Sequence, residues 1–232
     1  MALTPNNLFQ RVADILQDAG NVRWSSAELL RYLNDGRREL AIYRPDIYSE
    51  TASLTLVAGT KQTIPTDGNK FMDAVRNIKS DDSSGNAVRI IEREVLDSQQ
   101  PDWHTTTAST TIQHFMFDER SPRTFYVYPP ASGNGHKLEI VYGKSPVEIT
   151  SSDLDSSTVL AKEDIYVGAL TDYVLFKAFS KDSEYAGNIQ RANAAYQLFA
   201  YAIGIGNRKL YVNSPNVVSA GGVPPVQAQA DA

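Results

Sequence analysis

The first 20 residues place their apolar side chains at helical spacing. Thr4-Pro5 is typical of a helix start, because a hydroxyl can cap the first turn and proline is tolerated at the first helical position. The pattern predicts a helix that ends near Gly20, close to its C-cap. The predicted apolar face consists of Leu8, Val12, Ile15 and Leu16.

A second helix follows, and its charged side chains are predicted to lie on a solvated or subunit-facing surface. Ser25 and Glu28 have the spacing of a capping box, and Arg44-Pro45 ends the helical pattern. Asn34-Asp35-Gly36 is typical of a hairpin turn, but the helical spacing on both sides favours a helix. We therefore interpret Gly36 as a point where another backbone comes close. The apolar positions are Leu29, Leu33, Leu40 and Tyr43, and the charged ones include Arg31, Arg37, Arg38 and Glu39.

From about Thr51 apolar and polar residues alternate, which predicts β-strands. The stretches 53–57 and 62–65, separated by Ala58-Gly59-Thr60, predict a hairpin, and one short helix is predicted over 92–98. Turn-forming residues separate the strands, so we expect a small antiparallel sheet or sandwich instead of a parallel βαβ array. Further strands are predicted at 74–78, 87–91, 112–117, 124–128 and 137–142.

Helical spacing returns near Glu163. Apolar residues lie nearly all round the helix predicted from Asp164 to Phe179, which indicates burial on more than one side, within its own bundle or against a neighbouring chain. A fourth, alanine-rich helix is predicted to open at Ser183-Glu184 and to finish at Gly204 and Gly206. We predict subunit contacts for Ile165, Leu170, Tyr173, Phe176 and Phe179.

The C-terminal segment from Leu210 to Ala230 contains no charged residue, and its prolines and glycines forbid a stable helix. Two interpretations stay open: a disordered end, or an arm that becomes ordered when it docks on a partner. A solvated linker is usually more polar than this segment. The residues predicted to bind the partner are Leu210, Tyr211, Val212, Val217, Val218, Val223 and Val226.

The order of these elements predicts an α+β fold. Helices from both chain ends (1–48 and 160–206) would form a helical bundle around an inserted antiparallel β-rich domain (49–159), followed by an extended C-terminal arm (207–232). The length of 232 residues suits one large domain or two small ones.

Composition excludes several classes of function. The chain has no cysteine, which excludes disulfide scaffolds, cysteine-ligated zinc, iron–sulfur clusters and thiol nucleophiles. The formal net charge of -5 argues against affinity for nucleic acid or anionic lipid. The N-terminus does not resemble a signal peptide, and the longest uncharged run before the tail, 192–207, is too short to span a bilayer. We expect no membrane partner.

No motif predicts a catalytic, metal or cofactor site. His104, His114 and His136 lack metal-ligand spacing, and Gly143-Lys144-Ser145 lacks the upstream glycine and the following helix of a phosphate-binding loop. Gly204 and Gly206 lack the third glycine of a dinucleotide motif. Of three carboxylate pairs, the first and the last lie in serine-rich turns, where aspartate supports turns and caps, so we do not expect acid–base catalysis. These pairs are Asp81/Asp82, Glu92/Glu94 and Asp153/Asp155.

The run Trp24–Leu40, followed by Arg44-Pro45-Asp46, resembles the N-terminal region of tailed-bacteriophage head-to-tail adaptor proteins. These proteins are also called connectors and include the tail tubular protein A and gatekeeper types. The resemblance is strongest over residues 1–48, and the order of helices, sheet, helices and tail extends it over most of the chain. No motif of the β-rich segment contributes to it.

The resemblance implies a non-enzymatic protein of the virion, located at the head–tail junction and assembled in the host bacterial cytoplasm. Such adaptors form a ring, commonly dodecameric, that joins the portal protein to the tail or nozzle protein and extends the DNA channel. The C-terminal arm would dock on the portal. Double-stranded DNA would pass through the lumen without specific binding, for which an acidic wall is suitable.

Two other classes of function are weaker alternatives. A carbohydrate-binding or adhesin-like β module would present a sugar-stacking platform around Trp103, although the alternating aromatic residues are also typical of a sheet core. An acid–base hydrolase would use Glu92 or Asp153, but nothing in their spacing favours it.

Overall fold

The computed structural model describes residues 3–182 and 186–204. Helix α1 (Pro5–Leu16) begins at Thr4, whose hydroxyl accepts a hydrogen bond from the amide of Asn7, as the sequence predicts. The predicted end at Gly20 is wrong. Gln17 already takes the left-handed conformation, with φ of 56°, and its amide bonds to carbonyls of the last turn. A polar residue here supplies the geometry for which glycine was expected.

Helix α2 (Ser26–Tyr43) has the predicted bounds. The hydroxyl of Ser25 accepts from the amide of Glu28, and the helix ends at Arg44 before Pro45. A short 3₁₀ helix, Pro45–Tyr48, then leads the chain into the sheets.

The central segment contains eight strands and one helix. In chain order these are β1 (Ser49–Thr55), β2 (Gly59–Thr63), β3 (Gly68–Ile78), β4 (Ser84–Ala87), β5 (Arg89–Ile90), α3 (Arg93–Gln99), β6 (His114–Phe117), β7 (Thr124–Ala131) and β8 (Lys137–Lys144). Among the described residues the strands form two four-stranded sheets, ordered β1-β8-β3-β4 and β2-β7-β6-β5. Pairing is antiparallel, as predicted, except for the two-residue parallel pairing of β5 with β6.

The predicted hairpin over 53–57 and 62–65 is wrong. β1 pairs with β8 in one sheet, and β2 pairs with β7 in the other, so the connection between them crosses from sheet to sheet. The side chain of Gln62 holds this corner: its Oε1 accepts from the amide of Val57 at 2.9 Å, and its Nε2 donates to the Val57 carbonyl at 2.8 Å. A buried amide side chain thus replaces the backbone pairing that a hairpin would have provided.

The two sheets pack face to face around one apolar core. The rings of Phe71 from the first sheet and Phe125 from the second stack with centroids 4.2 Å apart. Buried Asn77 also joins the sheets, because its side chain exchanges two hydrogen bonds of 2.8 Å with the backbone of Ile112. The core residues are Leu56, Ile64, Phe71, Ala74, Val88, Ile112, Phe115, Phe125, Val127, Ala131, Leu138, Ile140 and Tyr142.

Two long helices follow the sheets. A 3₁₀ turn, Asp164–Tyr166, precedes α4 (Val167–Lys181), which agrees with the predicted helix from Asp164. The last helix is α5 (Ala186–Ile203), and Gly204 follows it with φ of 75°, as expected of a helix stop. Ser183, Glu184 and Gly206 lie outside the described residues.

Helix α4 packs against α1, α2 and α5 of the same chain, which explains why its apolar residues lie nearly all round it. These four helices share a second apolar core, separate from that of the sheets. Ile149, from the connection between β8 and α4, belongs to this helical core. The predicted mixture of α-helices with antiparallel-rich sheets is confirmed.

Candidate functional site at the junction of helices and sheets

A buried polar network joins α2 to the chain on either side of the sheets. The Arg37 Nε donates to Oε1 of Glu163 at 2.7 Å, and the Tyr48 hydroxyl donates to the same oxygen at 2.6 Å. Arg37 Nη1 also donates to the carbonyl of Val147 at 2.6 Å. The network therefore connects a helix, the entry to the sheets and the exit from them.

Asn34, one helical turn before Arg37, extends the network. Its Nδ2 donates to the Ile149 carbonyl at 2.9 Å, and its Oδ1 accepts from the Ile149 amide at 3.0 Å. This two-bond pairing satisfies a backbone unit that is buried beside the helical core. Arg37 and Asn34 together fix residues 147–149 against α2.

The electrostatics of the network favour a neutral phenol at Tyr48. Burial raises the pKa of Tyr48 well above its usual range, and the charge of Glu163 raises it further. Tyr48 therefore remains a hydrogen-bond donor at every pH the protein meets. The side chains of Asn34, Arg37, Tyr48 and Glu163 are buried, so they position chain segments and offer little surface to a ligand.

The prediction that Arg37 lies on a solvated or subunit-facing surface is wrong. Its side chain is 6% exposed, while Arg31 and Arg38 of the same helix are exposed as predicted. The sequence offered one signal: Asn34 and Arg37 lie three residues apart on the apolar side of α2, between Leu33 and Leu40. Polar residues within an apolar stripe indicate buried partners.

Gly36 has a close neighbour, but the prediction that this neighbour is a backbone was wrong. A Cβ added at Gly36 would lie 2.8 Å from Cδ1 and 3.1 Å from Cγ of Tyr173, so a side chain approaches there and not another backbone. The absence of a side chain at Gly36 lets the ring of α4 pack directly on α2. Burial raises the pKa of Tyr173 to about 12.

The five predicted subunit-contact residues lie in different environments. Leu170 is fully buried and Tyr173 is 5% exposed, both in the helical core of the same chain. Phe176 and Phe179 are partly buried against that core, and Ile165 is 82% exposed. A subunit contact for these residues stays a prediction, and Ile165 has the most surface for it. The predicted arm residues lie outside the described residues.

Trp103 does not present a sugar-stacking platform. Its side chain is 1% exposed, packed with Leu96 and Met116, and its Nε1 donates to Oδ1 of Asp97 at 2.7 Å. The ring stacks on His104 at a centroid distance of 3.6 Å. The aromatic residue on which the carbohydrate alternative depended is therefore part of a small core.

Two of the carboxylate pairs take part in turns and caps. Asp81 accepts from the amide and hydroxyl of Ser83, which lowers the pKa of Asp81. Asp153 accepts from the amide and hydroxyl of Thr150 in the same way, and this also lowers the pKa of Asp153. Within residues 3–182 and 186–204 no three histidine or acidic side chains converge as a metal site.

The outward side of α5 lacks the charged residues that α1 and α2 expose. It contains Gln190, Ala194, Gln197, Leu198 and Tyr201, all exposed and none charged. By contrast, α1 exposes Arg11 and Asp14, and α2 exposes Arg31 and Arg38. We call these five residues of α5 its outer face.

A family model described as SU10 adaptor protein matches residues 4–219. The chain belongs to this family of phage adaptors. Membership assigns it a structural connector role among the components of a bacteriophage virion. The match includes both groups of helices and the sheets between them, so the resemblance first seen in Trp24–Leu40 extends over most of the chain. The comparison with curated proteins returned no match. Among the helices of the described ranges, none combines the length and apolarity needed to cross a membrane.

Proposed function

We propose that this adaptor forms a ring, dodecameric as is common among head-to-tail connectors, between the portal protein and the tail or nozzle protein. The ring would extend the DNA channel and serve genome packaging and ejection. The family match over residues 4–219 is the observation that carries the proposal. The tail tubular protein A or gatekeeper type is the closest description of this role, and assembly would take place in the host bacterial cytoplasm.

The C-terminal arm, residues 207–232, is proposed to dock on the portal. Its support is chemical: a segment of 21 residues from Leu210 to Ala230 without a charge is costly to leave in water but suits an apolar groove. Ordering of the arm would accompany docking, and the repeated subunits of a ring would multiply a modest affinity.

The proposed role is mechanical and not enzymatic, and it requires no cofactor. The buried network of Arg37, Glu163 and Tyr48 supports this view, because it holds the sheets against the helices, as a load-transmitting ring requires. The net charge of -5 supports a lumen through which DNA slides without specific binding.

The proposal is tested by the solution mass of the chain alone and mixed with its portal ring, measured by light scattering after size exclusion. We expect a ring-sized increase in mass on the portal. A chain cut after Asn207 should lose this increase, whereas a chain lacking only Asp231 and Ala232 should retain it.

Other outcomes have definite meanings. A full-length chain that never associates with the portal contradicts the connector role. Association that survives removal of residues 208–232 contradicts only the proposal that the arm docks on the portal. Tight, salt-dependent binding of DNA by the assembled ring contradicts the passive lumen.

A further inference from the structure

Helix α5 contacts the rest of the described chain on one side only. Its buried side chains, which include Ala195, Phe199 and Ile203, pack on the helical core, and its main neighbour is α4. On the opposite side Gln190, Ala194, Gln197 and Tyr201 recur at spacings of four, three and four, and Leu198 lies four residues after Ala194. Leu198 is 58% exposed and Tyr201 is 89% exposed.

The outer face also contains no charged residue, although the chain as a whole is acidic. The chain has 27 Asp and Glu residues, yet α5 contains none, and its single charged residue is Arg191 at the border of the outer face. The guanidinium of Arg191 lies 5.9 Å from the ring centroid of Phe179 in the same chain. Helices α1, α2 and α4 each contain at least one carboxylate, whereas the 18 residues of α5 contain none.

The net charge of the chain indicates that the outer face suits contact with a second copy. Each copy of the chain carries a formal net charge of -5, so two copies repel one another wherever acidic surfaces meet. A face without carboxylates lets copies approach without desolvating like charges. Tyrosine is enriched at the centre of protein–protein interfaces and charged residues are depleted there, as on this face.

We propose that the outer face of α5 is a contact between neighbouring copies of this chain. This inference rests on the proposed ring and names the surface that builds it. In a ring the contact is heterologous, so α5 of one copy meets a different surface of the next. Gln190, Gln197 and Tyr201 would supply hydrogen bonds, and Leu198 with Ala194 would supply apolar contact.

The size of the face predicts when copies associate. The outer face runs from Gln190 to Tyr201, which is about 18 Å of helix, and it is about 10 Å wide. This footprint is smaller than the roughly 800 Å² per partner that a stable pairwise interface buries. Copies should therefore associate through α5 when the portal holds them side by side, and remain separate in dilute solution.

The experiment replaces Tyr201 with a benzophenone amino acid and mixes unlabelled with ¹⁵N-labelled chains on the portal ring. After illumination, mass spectrometry of the cross-linked peptides distinguishes links between copies from links within one chain. We expect links from position 201 to a second copy. Val22, which is also 89% exposed, receives the same substitution as the control and should link at least fivefold less.

Two results from position 201 would overturn the inference. Links confined to residues 205–232 of the same chain would mean that the chain covers its own helix. Links confined to the portal would make α5 a portal-binding surface.

A charged variant gives a second readout. Leu198→Glu should weaken cross-linking between copies on the portal at least tenfold, while Ile42→Glu, at a site 72% exposed on α2, should not. The arm is intact in both variants, so each should still bind the portal. Portal binding with unchanged contacts between copies in Leu198→Glu overturns this inference and leaves the connector role standing. Failure of the unmodified chain to bind the portal overturns the connector role itself.

Discussion

The guanidinium of Arg37 and the carboxylate of Glu163 form an ion pair inside the protein, with 2.7 Å between Nε and Oε1. The exposed fractions of the two side chains are 6% and 1%, although 126 residues separate them in the sequence. Folding removes both charges from water, so each depends on the other for compensation.

Removal of Arg37 should therefore destabilise the protein strongly. We expect Arg37→Met to lower the free energy of unfolding by about 3–5 kcal/mol, because Glu163 would remain charged and buried without its partner. Urea denaturation followed by circular dichroism measures the change. Arg38→Met, at an exposed site of the same helix, is the matched control and should stay within about 0.5 kcal/mol of the unmodified chain.

A double variant separates charge from packing. Arg37→Met combined with Glu163→Met should be more stable than Arg37→Met alone by about 1 kcal/mol or more, because no uncompensated charge remains. Equal stability of Arg37→Met and Arg38→Met would mean that the ion pair contributes nothing.

Replacing Gly36 by alanine should destabilise the protein, although this replacement usually stabilises a helix. In a helix, replacement of glycine by alanine is normally stabilising by about 1 kcal/mol. At Gly36 the new Cβ would lie 2.8 Å from Cδ1 of Tyr173, and we expect Gly36→Ala to destabilise the protein by about 1–3 kcal/mol. Thermal unfolding of the two chains measures the difference.

Gly168 is the control for this substitution. It lies in the first turn of α4, and a Cβ added there meets no atom within 4 Å, so Gly168→Ala should be neutral or stabilising. Trimming the ring with Tyr173→Ala should remove the penalty of Gly36→Ala in the double variant. A penalty that persists without the ring would contradict the steric explanation.

The features that the sequence predicted correctly are those that depend on residues close together in the chain. Caps and strand positions depend on neighbouring residues, and the start of α1 at Thr4 and the end of α2 before Pro45 were predicted correctly. The hairpin failed because alternation identifies strands without identifying their partners: β1 pairs with β8, more than 80 residues away.

The prediction that Arg37 is solvated was wrong for the same reason. A charged residue on an amphipathic helix is normally solvated, and only the position of Glu163 after folding makes Arg37 a buried residue. The sequence predicted an alanine-rich helix, but which alanines are buried depends on how α5 packs on the helical core: Ala195 is buried and Ala194 is exposed. The family, by contrast, was visible in the run Trp24–Leu40.

Acid should weaken the loop between α1 and α2. The carboxylate of Asp18 accepts hydrogen bonds from the amides of Trp24, Val22 and Arg23, and these bonds lower the pKa of Asp18 in the folded protein. A depressed pKa contributes stability that is present above the unfolded value, near 3.8, and is lost as the pH falls through the folded value.

Asp18→Asn tests this linkage. The variant should be less stable than the unmodified chain at pH 7, and the difference should shrink below about pH 4, where Asp18 begins to take up a proton in the unfolded chain. Urea denaturation at pH 7 and pH 3 measures both values. Asp14→Asn, at an exposed position on α1, is the control for the loss of one negative charge. A difference for Asp18→Asn that is constant with pH would contradict the assignment.

Trp103 should prove to be a core residue. We expect Trp103→Ala to destabilise the protein by about 3–5 kcal/mol, because a large buried ring and its bond to Asp97 are lost. Trp103→Phe retains apolar volume and should lose less. Denaturation measures stability, and a glycan array measures sugar binding. Glycan binding that disappears in Trp103→Phe while stability is unchanged would restore the carbohydrate alternative.

The position of β8 in its sheet determines when the protein can fold. β8 lies between β1 and β3 and is the last of the described strands to leave the ribosome, so β1 has no partner and β3 has only β4 until residue 144 is available. Such distant pairings make folding slow and leave strand edges open meanwhile. A nascent chain stalled before Lys137 should therefore be sensitive to protease and dependent on chaperones. In an infected cell, the supply of adaptors would then be limited by completion of whole chains.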